Sequence, residues 1–193
     1  MNIWGNKELI EILLGGGVVV MPTDTIYGLV GSALNKKTVE RVYNIRKRAP
    51  EKPCIILIGD IKELEIFFII LSLEQKKVIE KYWFTIGRTE VPGPVSFILD
   101  CADDKFEYLH RGTKTLAFRL PLQADLRDFL KNTGPLIAPS ANPEGFSSAI
   151  DVAKAKEYFA DLVDLYIDGG EIVGKASKVI KLHKDGSAII LRE

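Results

Sequence analysis

Sulfur and imidazole are scarce in this chain: Cys54, Cys101, His110 and His183 are the only cysteines and histidines in 193 residues. Without a Cys-x-x-Cys pair or a His/Cys cluster, neither a disulfide framework nor a protein-held metal is indicated, and a reducing cytoplasm fits best. Neither histidine has a recognisable partner spacing, so both are expected at the surface. An excess of one charge is also missing, because 26 Lys and Arg balance 26 Asp and Glu. No global field draws the chain onto nucleic acid or a membrane, and any anion site must be local. The longest apolar run, residues 66–71, has six members, against the roughly 20 needed to cross a bilayer. Lys7, Glu8 and Glu11 interrupt the first residues where a signal peptide would be apolar, so no export is expected. No G-x-G-x-x-G turn occurs, and the glycines at 15–17 precede a strand pattern with no Gly-Lys-Ser/Thr, which excludes a Walker A loop.

With 47% hydrophobic residues, the chain can build one sizeable core, and residues 1–193 are taken as one domain. Leu9, Ile10, Leu13 and Leu14 follow helical spacing, and the glycines then release the chain into Val18, Val19 and Val20. Asn35 is the expected N-cap of a second helix whose Val39, Val42, Tyr43 and Arg46 share one side and which carries Arg46, Lys47 and Arg48 in its last turn. A strand is expected over 54–58, then a helical region with a Ser72/Gln75 capping box before Val78 and Trp83. Further strands are expected at 95–99, 115–119, 136–138, 165–168, 178–182 and 188–191, with helices at 124–131 and 151–159. Residues 100–114 are expected to form a surface loop. The pattern gives an α/β fold with a twisted, mixed parallel and antiparallel sheet flanked by helices.

Three segments carry polar groups at strand or helix ends. Pro22, Thr23, Asp24, Thr25, Ile26, Tyr27 and Gly28 leave a strand with two hydroxyls and a carboxylate, either to meet a polar substrate or to satisfy their own backbone in a proline turn. Arg46, Lys47, Arg48 and Lys52 precede Pro53 and a strand; they suit a triphosphate, and equally a solvated helix terminus. Ala138, Pro139, Ser140, Ala141 and Asn142, followed by Gly145, Ser147 and Ser148, let a flat ligand approach the backbone or make an ordinary Asx turn. Pro92, Gly93 and Pro94 before Ser96 also suit a rigid strand entry, and Asp168, Gly169 and Gly170 a strand end.

In order, PTDTIYGL, RKRAPEKP, PGPVSFIL, TLAFRLP, APSAN, DGG and IILR resemble the YrdC family of threonylcarbamoyl-AMP synthases, from about residue 16 to 192. The resemblance implies a YrdC-like fold and the synthesis of threonylcarbamoyl-adenylate and pyrophosphate from L-threonine, bicarbonate or CO2, and ATP. Partner proteins then transfer the group to an adenosine beside the tRNA anticodon. By motif, Arg48 and Lys52 are the catalytic pair that takes the ATP phosphates. Thr25, Ala138 and Ser177 meet threonine, while Ser96, Ser140, Asn142, Ser148 and Arg192 meet the nucleotide. Thr23, Arg46 and Arg119 support the site. The resemblance implies Mg2+ arriving with ATP, no prosthetic group and no membrane partner, with contact to tRNA or RNA left open.

The sequence departs from the family at Arg46 for a lysine, Ala49 for a proline and Lys178 for a threonine. Residues 84–91 stand between Trp83 and the Pro-Gly-Pro motif, and Arg192 is followed by one residue. Two other readings remain: a relative that makes a carbamoyl-adenylate from another donor, and a non-catalytic RNA-binding or ribosome-assembly module using Arg46, Lys47 and Arg48. Zero net charge weighs against the second, since backbone binding relies on many cations.

Overall fold

The computed structural model describes residues 3–84 and 93–193. Pro92 of the Pro-Gly-Pro motif and residues 85–91 before it lie outside the described residues. Helix α1 (Lys7–Leu14) begins where the Asn6 side chain accepts the Leu9 N–H, and the glycines after it lead into β1 (Val18–Pro22). β2 (Tyr27–Ser32) returns antiparallel to β1. Asn35 caps α2 (Lys36–Arg46), and β3 (Ile55–Leu57) follows. A 3-10 helix (Ile61–Phe67) precedes α3 (Leu73–Trp83), which carries the Ser72/Gln75 capping box. Then come β4 (Val95–Asp100), α4 (Glu107–His110), β5 (Thr115–Arg119) and α5 (Ala124–Thr133). β6 (Leu136–Ile137), α6 (Val152–Phe159), β7 (Leu165–Tyr166), β8 (Lys178–Leu182) and β9 (Ala188–Arg192) complete the series.

Among the described residues, nine strands form one sheet in the order β7-β1-β2-β6-β3-β5-β4-β8-β9. β1–β7, β3–β5 and β4–β8 pair in parallel and the other neighbours antiparallel, which is the mixed sheet the pattern indicates. Its two faces are covered unequally. Phe97, Phe118 and Ile180, in register on β4, β5 and β8, point into a core shared with Val42, Ile79 and Phe159 of α2, α3 and α6. On the opposite face, Val19, Val30 and Leu57 pack against Leu13 of α1 and Phe129 of α5. That second core takes nothing from β4, β5, β8 or β9 among the described residues. Half of this face is therefore left for something other than packing.

β2 was not expected as a strand, because Gly28 and Gly31 lower the local strand preference. The fold needs Gly31 there: an added Cβ would lie 2.5 Å from Thr38 Cγ2 of α2, so a side chain would lift the helix off the sheet. The surface loop expected over 100–114 is corrected. It contains a 3-10 turn (Asp104–Phe106), whose Lys105 N–H is accepted by the Asp103 side chain, and then α4. Phe106 and Leu109 are buried, with the Phe106 ring 5.2 Å from Phe67. His110, expected at the surface, is fully buried and its Nδ1 accepts the Gly112 N–H. A single short apolar pair, Phe106 and Leu109, inside a run that is otherwise rich in Asp, Lys and Glu hides this spacing. His183 lies at an intermediate depth. Trp83 is buried against Phe97, and its indole N–H donates to the Val95 carbonyl, fixing the start of β4.

Asp164 joins three elements at the far side of the sheet. One carboxylate oxygen accepts the N–H of fully buried Val18 at 2.7 Å, and Arg41 of α2 donates to both oxygens. Arg41 is the main cause of a carboxyl held below its usual range. A depressed folded-state value means that this stabilisation is present above the unfolded-state value, about 3.9, and is lost as pH falls through the folded one. Asp164→Ala leaves the Val18 N–H without its acceptor and is expected to cost about 1–3 kcal/mol in urea unfolding at pH 7. The difference from wild type should shrink as pH falls below the ordinary carboxylate range; an equal deficit throughout the acid range would contradict the assignment.

Candidate active site

The β1–β2 loop is organised around one hydroxyl. Thr23 Oγ1 donates to the Ile26 carbonyl at 2.7 Å, accepts the Thr25 N–H at 3.3 Å and lies 3.1 Å from Thr25 Oγ1. Thr23 thus satisfies its own loop, while Thr25 remains at the wall of the cleft. Between them, Asp24 accepts from Nε and Nη2 of Arg119 at 3.1 and 2.8 Å. Both partners are almost wholly buried, at 5% and 4% side-chain exposure, so the pair is a structural tie and Asp24 is not a free base. It joins β5 to the β1–β2 loop although β2, β6 and β3 stand between β5 and β1. The loop is thereby drawn over the uncovered half of the sheet.

A second wall comes from the end of α2. The helix closes at Arg46, not over Arg46, Lys47 and Arg48 as expected, because Lys47 turns left-handed (φ 51°) and the Arg48 N–H returns to the Tyr43 carbonyl. Arg46 points inward, 4% exposed, donating through Nε to the Asn142 carbonyl and through Nη2 to Ser140 Oγ. Burial pushes its guanidinium below the ordinary arginine value. Arg48 donates to the carbonyls of Lys52 and Pro53, both at 2.9 Å. Arg192 donates twice to the Ser177 carbonyl; burial, and then the charge of Arg119, lowers its guanidinium from the usual value.

Between these walls lies a cleft of about 370 Å³ floored by Thr115, Ala117 and Arg119 of β5, with Ile98 and Val179 beside them. Register places Ala117 and Arg119 on the same face as Ile55 and Leu57, the half of the sheet that α1 and α5 leave open. Arg46, Arg48, Arg119 and Arg192 all reach the cleft, and no carboxylate lines it among the described residues. Arg119 is neutralised by Asp24, but Arg46, Arg48 and Arg192 bring three guanidiniums with no carboxylate partner among the described residues, and their fork geometry suits phosphate or carboxylate oxygens. A larger groove of about 1030 Å³ beside α3 is framed by Phe68, Ile70 and Phe84 and gathers none of these groups.

The structure brings Thr23, Thr25, Arg46, Arg48, Arg119, Ala138, Ser140, Ser177 and Arg192 to this cleft. Lys52, Ser96, Asn142 and Ser148 are not on its lining. Lys52 pairs with Glu144, and Ser96 is buried beneath Ser177, their hydroxyl oxygens 2.8 Å apart. Asn142 turns its amide N–H groups to the carbonyls of Pro143 and Phe146, leaving Oδ1 buried and unpartnered. Ser148 is half-buried nearby. Sequence reasoning missed Thr115 and Ala117, although their alternation with Leu116 and Phe118 is the period-2 signal of a two-faced strand. It also missed Gly174, where an added Cβ would sit 2.0 Å from the Thr25 carbonyl oxygen, so only glycine lets that segment press on the threonine loop. Tyr27, whose hydroxyl donates to the Gly170 carbonyl and accepts the Gly169 N–H, pins the start of the same segment.

A half-open sheet face crossed by guanidiniums and rimmed by small hydroxyl side chains places the molecule among α/β domains that hold anionic ligands. The chain belongs to the Sua5/YciO/YrdC family, whose model, described as "Telomere recombination", matches residues 11–193. It is 30% identical over 181 residues to the threonylcarbamoyl-AMP synthase of Pyrococcus abyssi, covering 93% of this chain and 51% of that protein. Against the threonylcarbamoyl-AMP synthase of Pseudomonas fluorescens it is 26% identical over 175 residues, 91% of this chain and 90% of the other. The crystal structure of P. abyssi Sua5 complexed with L-threonine superposes with a TM-score of 0.84 at 28% identity, over 98% of this chain and 54% of that one. The chain thus spans about half the length of the P. abyssi protein.

Removing one partner of a buried ion pair strands the other charge, so Asp24→Ala is expected to cost about 3–5 kcal/mol in chemical unfolding. Adding Arg119→Met should recover much of that stability without restoring ligand binding, because the loop loses its anchor. Recovery of both in the double variant would show that the tie does not shape the cleft.

Proposed function

We propose that this chain is an L-threonylcarbamoyladenylate synthase, a nucleotidyltransferase that joins L-threonine, CO2 or bicarbonate, and ATP and releases pyrophosphate. The observation that carries the reading is the convergence of four arginines with Thr25, Ala138, Ser140 and Ser177 around one cleft. The names of the relatives and the L-threonine in the P. abyssi structure support it. In the proposed reaction the threonine amine adds to CO2 and loses a proton to solvent, giving a carbamate. A carbamate oxygen then forms a bond to the α-phosphorus of ATP as the bond to the bridging oxygen breaks and pyrophosphate departs. No side chain becomes covalently modified.

Thr25, the Ala138 backbone and Ser177 would orient threonine. Arg48 and Arg192 would take the phosphates, with Lys52 reached from its loop, while Arg46 and Arg119 hold the walls in place. Holding the reactants in line can supply about 7–11 kcal/mol of the barrier in well-oriented systems, and preorganised guanidiniums offset charge gathering on the leaving pyrophosphate. The cleft's donor set is cationic or neutral, so Mg2+ is assigned as part of the ATP substrate, carried by its phosphates. The product would pass to tRNA-modifying proteins that transfer the threonylcarbamoyl group to adenosine. The RNA-binding alternative loses support because Arg46, part of its basic patch, is buried and spent on Ser140 and Asn142.

Pyrophosphate release should require threonine and bicarbonate together with ATP; release undiminished when either is omitted would exclude this reaction. Arg48→Ala should lose about 2–4 kcal/mol of transition-state stabilisation, read from kcat/KM for ATP. A variant as fast as wild type at limiting ATP would remove Arg48 from the phosphate site.

A further inference from the structure

The turn that carries Ser140 and Asn142 continues to Glu144, a residue outside every motif considered above, which meets the arginine loop at three points. Its backbone N–H donates to the Arg46 carbonyl at 2.9 Å. Its carboxylate accepts the Ala49 N–H through Oε2 and the Lys52 ammonium through Oε1, each at 2.5 Å. In the opposite direction Arg46 donates to the Asn142 carbonyl and Ser140 Oγ. The two segments are therefore cross-braced, with Glu144 fixing the residues on either side of the left-handed turn and its following loop.

Arg48 lies inside this brace. Its guanidinium is wound back onto the carbonyls of Lys52 and Pro53, so its position follows theirs. Theirs in turn is set by Glu144, through Lys52 itself and through Ala49 at the other end of the loop. Hydrogen bonding to Lys52, and then to the Ala49 N–H, holds the Glu144 carboxyl below its usual range, which keeps it ionised at neutral pH. An ion pair this exposed adds little to global stability. Its effect falls on where Arg48 points.

We infer that Glu144 is a positioning residue for the nucleotide phosphates, acting on Arg48 through the loop from Ala49 to Lys52 and touching neither substrate. The inference rests on the proposed role of the cleft as the ATP site and adds a residue to it. Its signature is selective: the ATP side of the reaction should weaken while the threonine side, built on the β1–β2 loop, does not.

The test is ATP affinity by calorimetry, alongside pyrophosphate release with ATP or threonine varied, in wild type, Glu144→Ala, Glu144→Gln, Arg48→Ala and the Arg48→Ala/Glu144→Ala pair. Glu144→Ala should raise the Kd and KM for ATP about five- to tenfold, with KM for threonine and the melting midpoint close to wild type. Glu144→Gln keeps an acceptor for Ala49 and should recover part of the loss. In the Arg48→Ala background the Glu144 substitution should add less than about twofold, because its effect passes through Arg48. Unchanged ATP affinity in Glu144→Ala, no recovery in Glu144→Gln, or a full additional loss in the Arg48→Ala background would each overturn the inference. Wild type that binds ATP without releasing pyrophosphate would refute the proposed reaction while leaving the binding comparison readable; wild type that does not bind ATP would remove both.

Discussion

The buried pair between Arg119 and Asp24 is the constraint on which the rest of the site depends. A guanidinium on a central strand is costly to bury, and it is tolerated because a carboxylate from the β1–β2 loop meets two of its nitrogens. That loop therefore cannot swing freely into solvent; it is held across the sheet with Thr25 facing inward. Gly174 then lies against the loop's backbone from above. A polar interaction that yields modest net stability thus dictates where the hydroxyl groups are presented.

The second determinant is the unequal covering of the sheet. α1 and α5 close only the half of one face formed around β1, β2, β6 and β3. On the other half, β5 presents Thr115, Ala117 and Arg119 instead of large apolar residues. The cleft is consequently a place where the packing pattern stops, and its floor is rigid because the reverse face of the same strands lies in the main core. Such a site inherits the precision of a strand, with loops needed only at the rim.

Much of this was legible in the residues. The caps at Asn35 and Ser72, most strands and the shared helix side of Val39, Val42 and Arg46 followed from local patterns, since each rests on interactions within a few residues; that Arg46 is buried did not. β2 escaped because Gly31 is there for a helix that packs on it, a fact set by Thr38. The segment holding α4 escaped because its two apolar anchors form one short pair in a charge-rich run. Of the residues the motif resemblance named, Thr25, Arg48 and Ser177 line the cleft, while Lys52 and Asn142 are turned to other partners. Side-chain direction depends on neighbours remote in sequence, such as Glu144, and local spacing carries no record of them.

The outermost strand gives the site an unequal durability. Every residue of β9 is exposed, and Ile189, Ile190 and Leu191 each show more than half of their surface. Arg192, which grips the Ser177 carbonyl, hangs from its last turn of pairing. A strand with one neighbour has fewer bonds to release than the central ones, so this wall of the cleft is held by less than its floor. Occupancy by a multiply charged ligand would then be felt first as a quieting of the chain's final residues.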